Sequence, residues 1–202
     1  MLIRKGAEAD IYIRRWYGKR AISKIRSPKE YRNKVLDDRI RKARTIHEAK
    51  FISHSKTAGI HSPFLYYVDW QKAEIIMQFI DGANAKDILS PKLCTKIGNC
   101  AAMLHRQHII HGDLTTSNFI FANGNLFLID YGLSYYSQRV EDRATDIRLI
   151  KQVFDSVHNG ADEELYNSFL QGYSITAGKR EADKVLRQLK EVESRGRYSG
   201  IP

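Results

Sequence analysis

HGDLTTSN occupies residues 111–118, and DYG follows at 130–132. Together they set three side chains in order: Asp113, Asn118 five residues on, and Asp130 twelve residues beyond that. The intervening FIFANGNLFLID, 119–130, reads as two short β-prone runs around Asn123-Gly124, a pair favoured in two-residue hairpin turns. Such a hairpin folds Asp130 back beside Asn118. Gly132 then lets the chain bend sharply just past the acid. A chance loop with an Asx turn explains one polar side chain, not this spacing of acid, amide and acid.

Transfer of a phosphoryl group from ATP calls for such a set. The reaction needs metal ions to neutralise charge on the β- and γ-phosphates and a group that positions or deprotonates the acceptor hydroxyl. Mg²⁺ prefers hard oxygen ligands, commonly a carboxylate with phosphate oxygens and waters. Asn118 and Asp130 are the expected magnesium ligands, and Asp113 the catalytic base. The order matches the kinase pattern H-R-D-L-x-x-x-N followed by D-F-G. His105, His108 and His111 are three apart, but only the first pair shares a helical spacing, so the expectation is structural, with His111 bracing the catalytic loop.

A kinase-like fold also needs a lysine for the α- and β-phosphates and a helical glutamate to hold it. Ala21-Ile22-Ser23-Lys24 matches V-A-I-K on a predicted strand, which makes Lys24 the phosphate lysine, with a direct part in catalysis. Glu48, in RTIHEAKFI on the long helix, is the expected partner. Glu30 competes for that role, but helix capping accounts for it. The glycine-rich loop is weak: GAEAD, 6–10, has one glycine where G-x-G-x-x-G has three. Gly6 and Ala7 are candidates for backbone contact with a phosphate, and a plain β-turn is the competing reading. Met77-Gln78-Phe79-Ile80 lies where the chain leaves the first half. Met77 is expected at the back of an adenine pocket, with the Gln78 and Ile80 backbone beside the base.

The 202 residues suffice for one large domain or two small lobes on one core. Up to residue 80, LIRK, DIYIRRW, RAISKI, FLYYVDW and AEIIMQFI read as strands, with turns at Tyr17-Gly18 and Gln71-Lys72. SPKE, 27–30, has the form of a helix start, with Ser27 as cap and Pro28 in the first turn. The helix then runs to about 57, with Leu36, Ile40, Ala43 and His47 inward. Residues 81–194 are mostly helical, at about 84–89, 91–107, 143–158, 162–173 and 179–194. Residues 195–202 form a loose basic tail. The fold class is therefore α+β: a small antiparallel sheet with one long helix, then a helical lobe.

Thirty-three Lys and Arg against 23 Asp and Glu give a net charge of +10, which favours a polyanionic partner. Cys94 and Cys100 fit a helix core face with Leu93, Ile97, Ala101 and Leu104, as in a reducing compartment. No stretch approaches the ~20 apolar residues of a membrane span, and the start lacks a signal-peptide apolar region. A cytoplasmic protein without a membrane partner is expected.

Departures from the protein-kinase pattern narrow the choice. Gly112 stands where H-R-D has arginine. Only eight residues separate Gly132 from Glu141, with no A-P-E and no room for a long activation segment. KEYRNKVLDDRIRKARTIHEAK, HGDLTTSN, DYGLS, VEDRATDIRLI and ESRGRY together resemble the Bud-thirty-two family, the small atypical kinase subunit of the KEOPS complex. The resemblance covers nearly the whole chain. It implies a two-lobed kinase-like fold, Mg-ATP binding, autophosphorylation and ATP hydrolysis. The implied partners are the threonylcarbamoyltransferase subunit that modifies position 37 of tRNA, a small accessory subunit on the N-terminal lobe, and tRNA itself. Arg39, Arg41, Lys42 and Arg44 on the long helix, with Arg195 and Arg197 in the tail, are candidate tRNA contacts.

Three other readings compete. A freestanding Ser/Thr kinase would use the same site but ordinarily has an activation segment. A small-molecule phosphotransferase of the aminoglycoside or choline type also favours HGD but has a larger helical lobe. A nucleotide-binding scaffold without turnover has no need of Lys24, Asp113, Asn118 and Asp130 together.

Overall fold

The computed structural model describes residues 1–6, 8–157 and 162–198, excluding the side chains of 156, 157, 162 and 195–198. Ala7 and the side chains of Arg195 and Arg197 therefore lie outside the described residues.

Five strands build the N-terminal sheet: β1 (Leu2–Lys5), β2 (Asp10–Trp16), β3 (Lys19–Ile25), β4 (Leu65–Asp69) and β5 (Glu74–Gln78). They pair antiparallel in the order β1-β2-β3-β5-β4. Tyr17 and Gly18 both have left-handed backbones, φ 45° and 79°, which suits a tight hairpin between right-twisted strands. On β3, Ala21, Ser23 and Lys24 are buried while the strand start is exposed.

Helix α1 (Lys34–Thr57) packs beside this sheet. It does not start at SPKE. Asn33 is its cap, accepting the Val35 N–H at 3.0 Å and the Leu36 N–H at 3.4 Å, and Ser27 instead donates to Asp10. Asn is at least as good a cap as Ser, and Pro28 is as comfortable in the extended segment before it. The inward stripe also differs from expectation. Leu36 and Ala43 are exposed, and Asp37, Thr45, Glu48, Phe51, Ile52 and Ser55 are buried. The first turns face inward with charges, where Arg41 binds Asp37 at 2.8 Å, so hydrophobic periodicity misassigns the face.

The second lobe begins with β6 (Ala83–Asn84) and a three-residue 3₁₀ turn, Ala85–Asp87, in place of the longer helix that the sequence suggests. Helix α2 (Pro91–Arg106) is capped by Ser90 and buries Leu93, Ile97, Cys100, Ala101 and Leu104 along one side. Burial raises the two thiols, Cys94 to about 11 and Cys100 to about 12. β7 (Ile109–Ile110), β8 (Phe119–Ala122), β9 (Asn125–Leu128) and β10 (Tyr135–Tyr136) follow. β8 and β9 form the expected hairpin, with Asn123 and Gly124 left-handed at φ 50° and 78°. β10 pairs with β7 and ties the chain after DYG to the strand before HGD.

Helices α3 (Val140–Val157), α4 (Asp162–Ala177) and α5 (Lys179–Tyr198) complete the lobe; α5 continues past the expected boundary at 194. One hydrophobic cluster runs through both lobes, from Phe51, Ile75 and Met77 to Leu104, Tyr131, Phe154 and Leu189. Among the described residues no helix is long and apolar enough to cross a membrane.

Candidate active site

β3, α1 and the DYG turn meet at Lys24. Its ammonium lies 2.6 Å from Glu48 Oε1 and 2.7 Å from Asp130 Oδ1. Lys24 and Glu48 are 7% and 1% exposed, so a charged pair has been taken out of water, and only close mutual contact compensates for that. Burial alone would lower the Lys24 pKa, but the charges of Glu48 and Asp130 outweigh it and hold the pKa above its usual value. Burial likewise pushes Asp130 up, and the Lys24 charge, the Lys24 hydrogen bond and the Gly132 N–H more than reverse that. Asp130 has φ 62°, a sparsely populated conformation for a non-glycine residue and one that clusters at functional sites.

The HGDLTTSN loop enters from the other side. Asn118 Nδ2 donates to the Asp113 carbonyl at 2.8 Å and to Asp113 Oδ2 at 2.9 Å. Those two bonds orient the amide and leave Asn118 Oδ1 for another partner. Gly112 has φ 78°, and an added Cβ would lie 2.4 Å from the Leu133 carbonyl oxygen. The missing arginine of H-R-D thus has a local cause: the loop runs against the DYG segment, where only glycine fits. Tyr131 is fully buried; its ring lies against His111, and its hydroxyl meets Ser62 Oγ at 2.8 Å. Burial pushes that hydroxyl well above its ordinary pKa.

A cleft of about 350 Å³ lies between the lobes. Arg4 and Lys24 line it from the sheet, Gly6 from just beyond β1, and Asp113, Asn118 and Asp130 from the loops. Glu48 stands behind Lys24. Met77 and Ile80 are buried at the lobe junction, outside that lining. The Gln78 N–H is given to the Phe64 carbonyl at 2.8 Å, so that donor is already engaged. The Gly6 N–H is likewise taken by the Ala9 carbonyl at 3.1 Å, so that donor is engaged as well. Asn118 Oδ1 and the half-exposed Asp130 carboxylate are oxygen donors on one cleft, a set that fits magnesium.

Two residues of the site carry no motif signal. Arg26, 4% exposed, donates to Glu48 Oε2 at 2.5 Å. Asp146 on α3, also buried, accepts the His111 N–H at 2.7 Å and the Gly112 N–H at 2.9 Å. It also contacts His105 Nε2 at 3.3 Å, and His105 in turn meets the Tyr173 hydroxyl at 2.8 Å. Asp146 lies in VEDRATDIRLI, a piece of the family resemblance whose role the sequence does not reveal. Of the proposed RNA contacts, Arg41 and Lys42 pair with acids on their own helix and Arg44 with Glu8, whereas Arg39 is exposed.

Residues 16–164 match the RIO domain family. The fold agrees: the Rio2 kinase of Chaetomium thermophilum, solved as an ADP/Mg²⁺-phosphoaspartate complex, superposes with a TM-score of 0.66 at 16% identity. That match covers 96% of this chain and 70% of the other. WaaP in complex with acyl carrier protein gives 0.62 at 13% identity, over 96% and 87%. The chain has a protein-kinase-like fold of the RIO class. The KEOPS complex subunit Bud32 of Pyrococcus abyssi is 34% identical over 210 residues, 98% of this chain and 96% of that one, and the chain belongs to this family. A probable bifunctional tRNA threonylcarbamoyladenosine biosynthesis protein of Methanobrevibacter smithii is 41% identical over 198 residues. The chain spans 37% of that relative's length, little more than a third.

Proposed function

We propose that this protein is an atypical Ser/Thr kinase and ATPase that binds Mg-ATP and serves tRNA threonylcarbamoyladenosine biosynthesis as a KEOPS subunit. The observation that carries the reading is the convergence of Lys24, Asp113, Asn118 and Asp130 on one cleft. A nucleotide-binding scaffold has no use for a base-and-metal set of this kind. Asn118 and Asp130 would hold magnesium, which when bound neutralises charge on the β- and γ-phosphates. Lys24 turns its ammonium from Asp130 to the α- and β-phosphates. Asp113 orients the acceptor hydroxyl or water and takes its proton. Backbone groups at the Met77–Ile80 junction, other than the engaged Gln78 N–H, meet the adenine.

The short stretch after DYG supports a subunit more than a freestanding kinase. β10 pairs directly with β7, so the residues just beyond Gly132 return into a two-stranded ladder where a long regulatory loop would otherwise extend. The partners are the threonylcarbamoyltransferase subunit, a small accessory subunit on the N-terminal lobe, and tRNA. On α5, Lys179, Arg180, Arg187 and Lys190 are exposed within about 100° of arc around the exposed Asp183, a more cationic surface for RNA phosphates than the internally paired cations of α1.

The test is a pull-down of the full chain from its native cell, followed by Mg-dependent ATP hydrolysis with and without tRNA. Recovery of a tRNA-modifying enzyme and tRNA-stimulated turnover are expected. Turnover indifferent to tRNA, with phosphorylation of an unrelated protein, would favour the freestanding kinase.

A further inference from the structure

We infer that Arg26 is a positioning residue for the phosphate lysine: it fixes Glu48 through Oε2, so that Oε1 keeps hold of Lys24 when the nucleotide draws the ammonium from Asp130. The inference rests on the kinase reading of the cleft. Glu48 is 1% exposed and its two carboxylate oxygens are divided between two cations, Lys24 on Oε1 at 2.6 Å and Arg26 on Oε2 at 2.5 Å. Lys24 is not Glu48's alone, because Asp130 holds it at 2.7 Å. A triphosphate entering the cleft competes for the same ammonium. A buried carboxylate held by one mobile cation would shift with it, and a lost partner would leave an uncompensated charge, which is strongly destabilising. With Arg26 in place, Glu48 keeps its position and its grip on Lys24 as the ammonium turns from Asp130 to the phosphates.

The placement of Arg26 suits a fixed partner. Its N–H donates to the Ala73 carbonyl at 3.0 Å, and its carbonyl accepts from Arg41 at 3.4 Å. Its guanidinium is packed against DYG, where a Cβ on Gly132 would lie 3.1 Å from Nη2. The other arm faces Glu8 at 3.9 Å, and Glu8 also pairs with Arg44 of α1. A planar fork presents its donors in fixed directions and keeps its charge at all working pH values. A second lysine in this place would have to be held by its flexible stem alone.

The experiment is a double-mutant cycle on Mg-dependent ATP turnover by the full chain, with Arg26→Gln, Glu48→Gln and the pair. Arg26→Gln should lower kcat by about 10²-fold, as misplacement of a catalytic group does, with KM for ATP changed less than about threefold. Glu48→Gln removes the charge that Arg26 serves, so the double variant should be no slower than Glu48→Gln alone. Arg26→Lys should recover kcat to within about fivefold of wild type, since it restores a cation but not the fork. If Arg26→Gln does not fold, the cycle is run with Arg26→Lys, whose smaller loss should vanish in the Glu48→Gln background. Multiplicative losses in either cycle, or wild-type kcat in folded Arg26→Gln, overturn the role. Lys24→Met separates this from the reading beneath it. Full turnover in Lys24→Met sinks the kinase site itself, whereas a dead Lys24→Met beside an active Arg26→Gln sinks only the inference.

Discussion

The Asp146 carboxylate on α3 receives the His111 N–H at 2.7 Å, across 35 residues of sequence. Its other oxygen takes the Gly112 N–H at 2.9 Å, so one buried side chain fixes two successive peptide groups just before Asp113. The direction in which Asp113 leaves the loop is thus set from the helical lobe. Ser134 adds a tie from the DYG side, donating to the His111 carbonyl at 3.1 Å.

Asp146→Ala should therefore damage both stability and rate. The buried His111 N–H and the half-buried Gly112 N–H lose their acceptor, and each unsatisfied group costs about 1–3 kcal/mol, so a loss of roughly 2–6 kcal/mol is expected in urea unfolding. At urea-free, folded conditions kcat should fall more than KM for ATP rises, because the loop and not the cleft mouth is disturbed. A variant with wild-type stability and rate would show that the loop is held by other contacts.

The Lys24–Asp130 contact predicts a pH signature. Asp130 is held below the usual aspartate value near 3.8, so its contribution to stability is in force above that value and is lost as pH falls through the lower folded one. Lys24 is held above the usual 10.5, so its contribution is present below that value and is lost as pH rises through the higher folded one. Asp130→Asn should accordingly lose less stability than wild type below pH ~4, and Lys24→Met less above pH ~10.5. Thermal melts across pH read both differences. Parallel curves for wild type and either variant would remove the ion pair as a stabilising contact.

Much of this architecture is legible in the sequence because certain residues have little choice. Tyr17-Gly18 and Asn123-Gly124 mark hairpins through their left-handed backbones, and Ser90-Pro91 marks the start of α2. Lys24, Asp113, Asn118 and Asp130 are legible because motif spacing survives folding, and the structure brings them to one cleft. What stays hidden is tertiary. Arg26 and Asp146 act on groups 22 and 35 residues away, with no local pattern to announce them. The inward face of α1 escapes a sequence reading because its buried positions include Asp37, Thr45 and Glu48, which a hydrophobic period cannot register. β6, β7 and β10 are two residues each, too short for alternation to show.

The helical lobe offers a prediction independent of chemistry. α2 and α4 approach so closely that a Cβ on Gly98 would lie 2.0 Å from the Phe169 carbonyl oxygen, and one on Gly172 2.0 Å from that of Thr95. Both obstacles are backbone, so neither can rotate away. Gly98→Ala and Gly172→Ala should each destabilise by at least ~2 kcal/mol, although alanine is the better helix former. Denaturant midpoints at constant m-value decide it; a stabilised Gly98→Ala would mean that the helices can slide apart at no cost.

The final prediction separates binding from chemistry at Asp113. Asn118 Nδ2 bridges the Asp113 carbonyl and Oδ2, so the loop geometry depends partly on a side-chain oxygen that an amide at this position would keep. Asp113→Asn removes the proposed base but retains an acceptor for Asn118, and Lys24 with Asp130 is untouched. Nucleotide affinity measured by calorimetry should therefore stay within about threefold of wild type, while turnover falls by the ~10²–10⁴-fold that general-base groups supply. Asn118→Ala should behave differently, because it removes both the brace on Asp113 and one of the two proposed metal ligands. Its turnover should become dependent on much higher magnesium, whereas Asp113→Asn keeps the wild-type magnesium midpoint. If the two variants share one magnesium profile, the division of labour between base and metal ligand is wrong, even though both side chains face the same cleft.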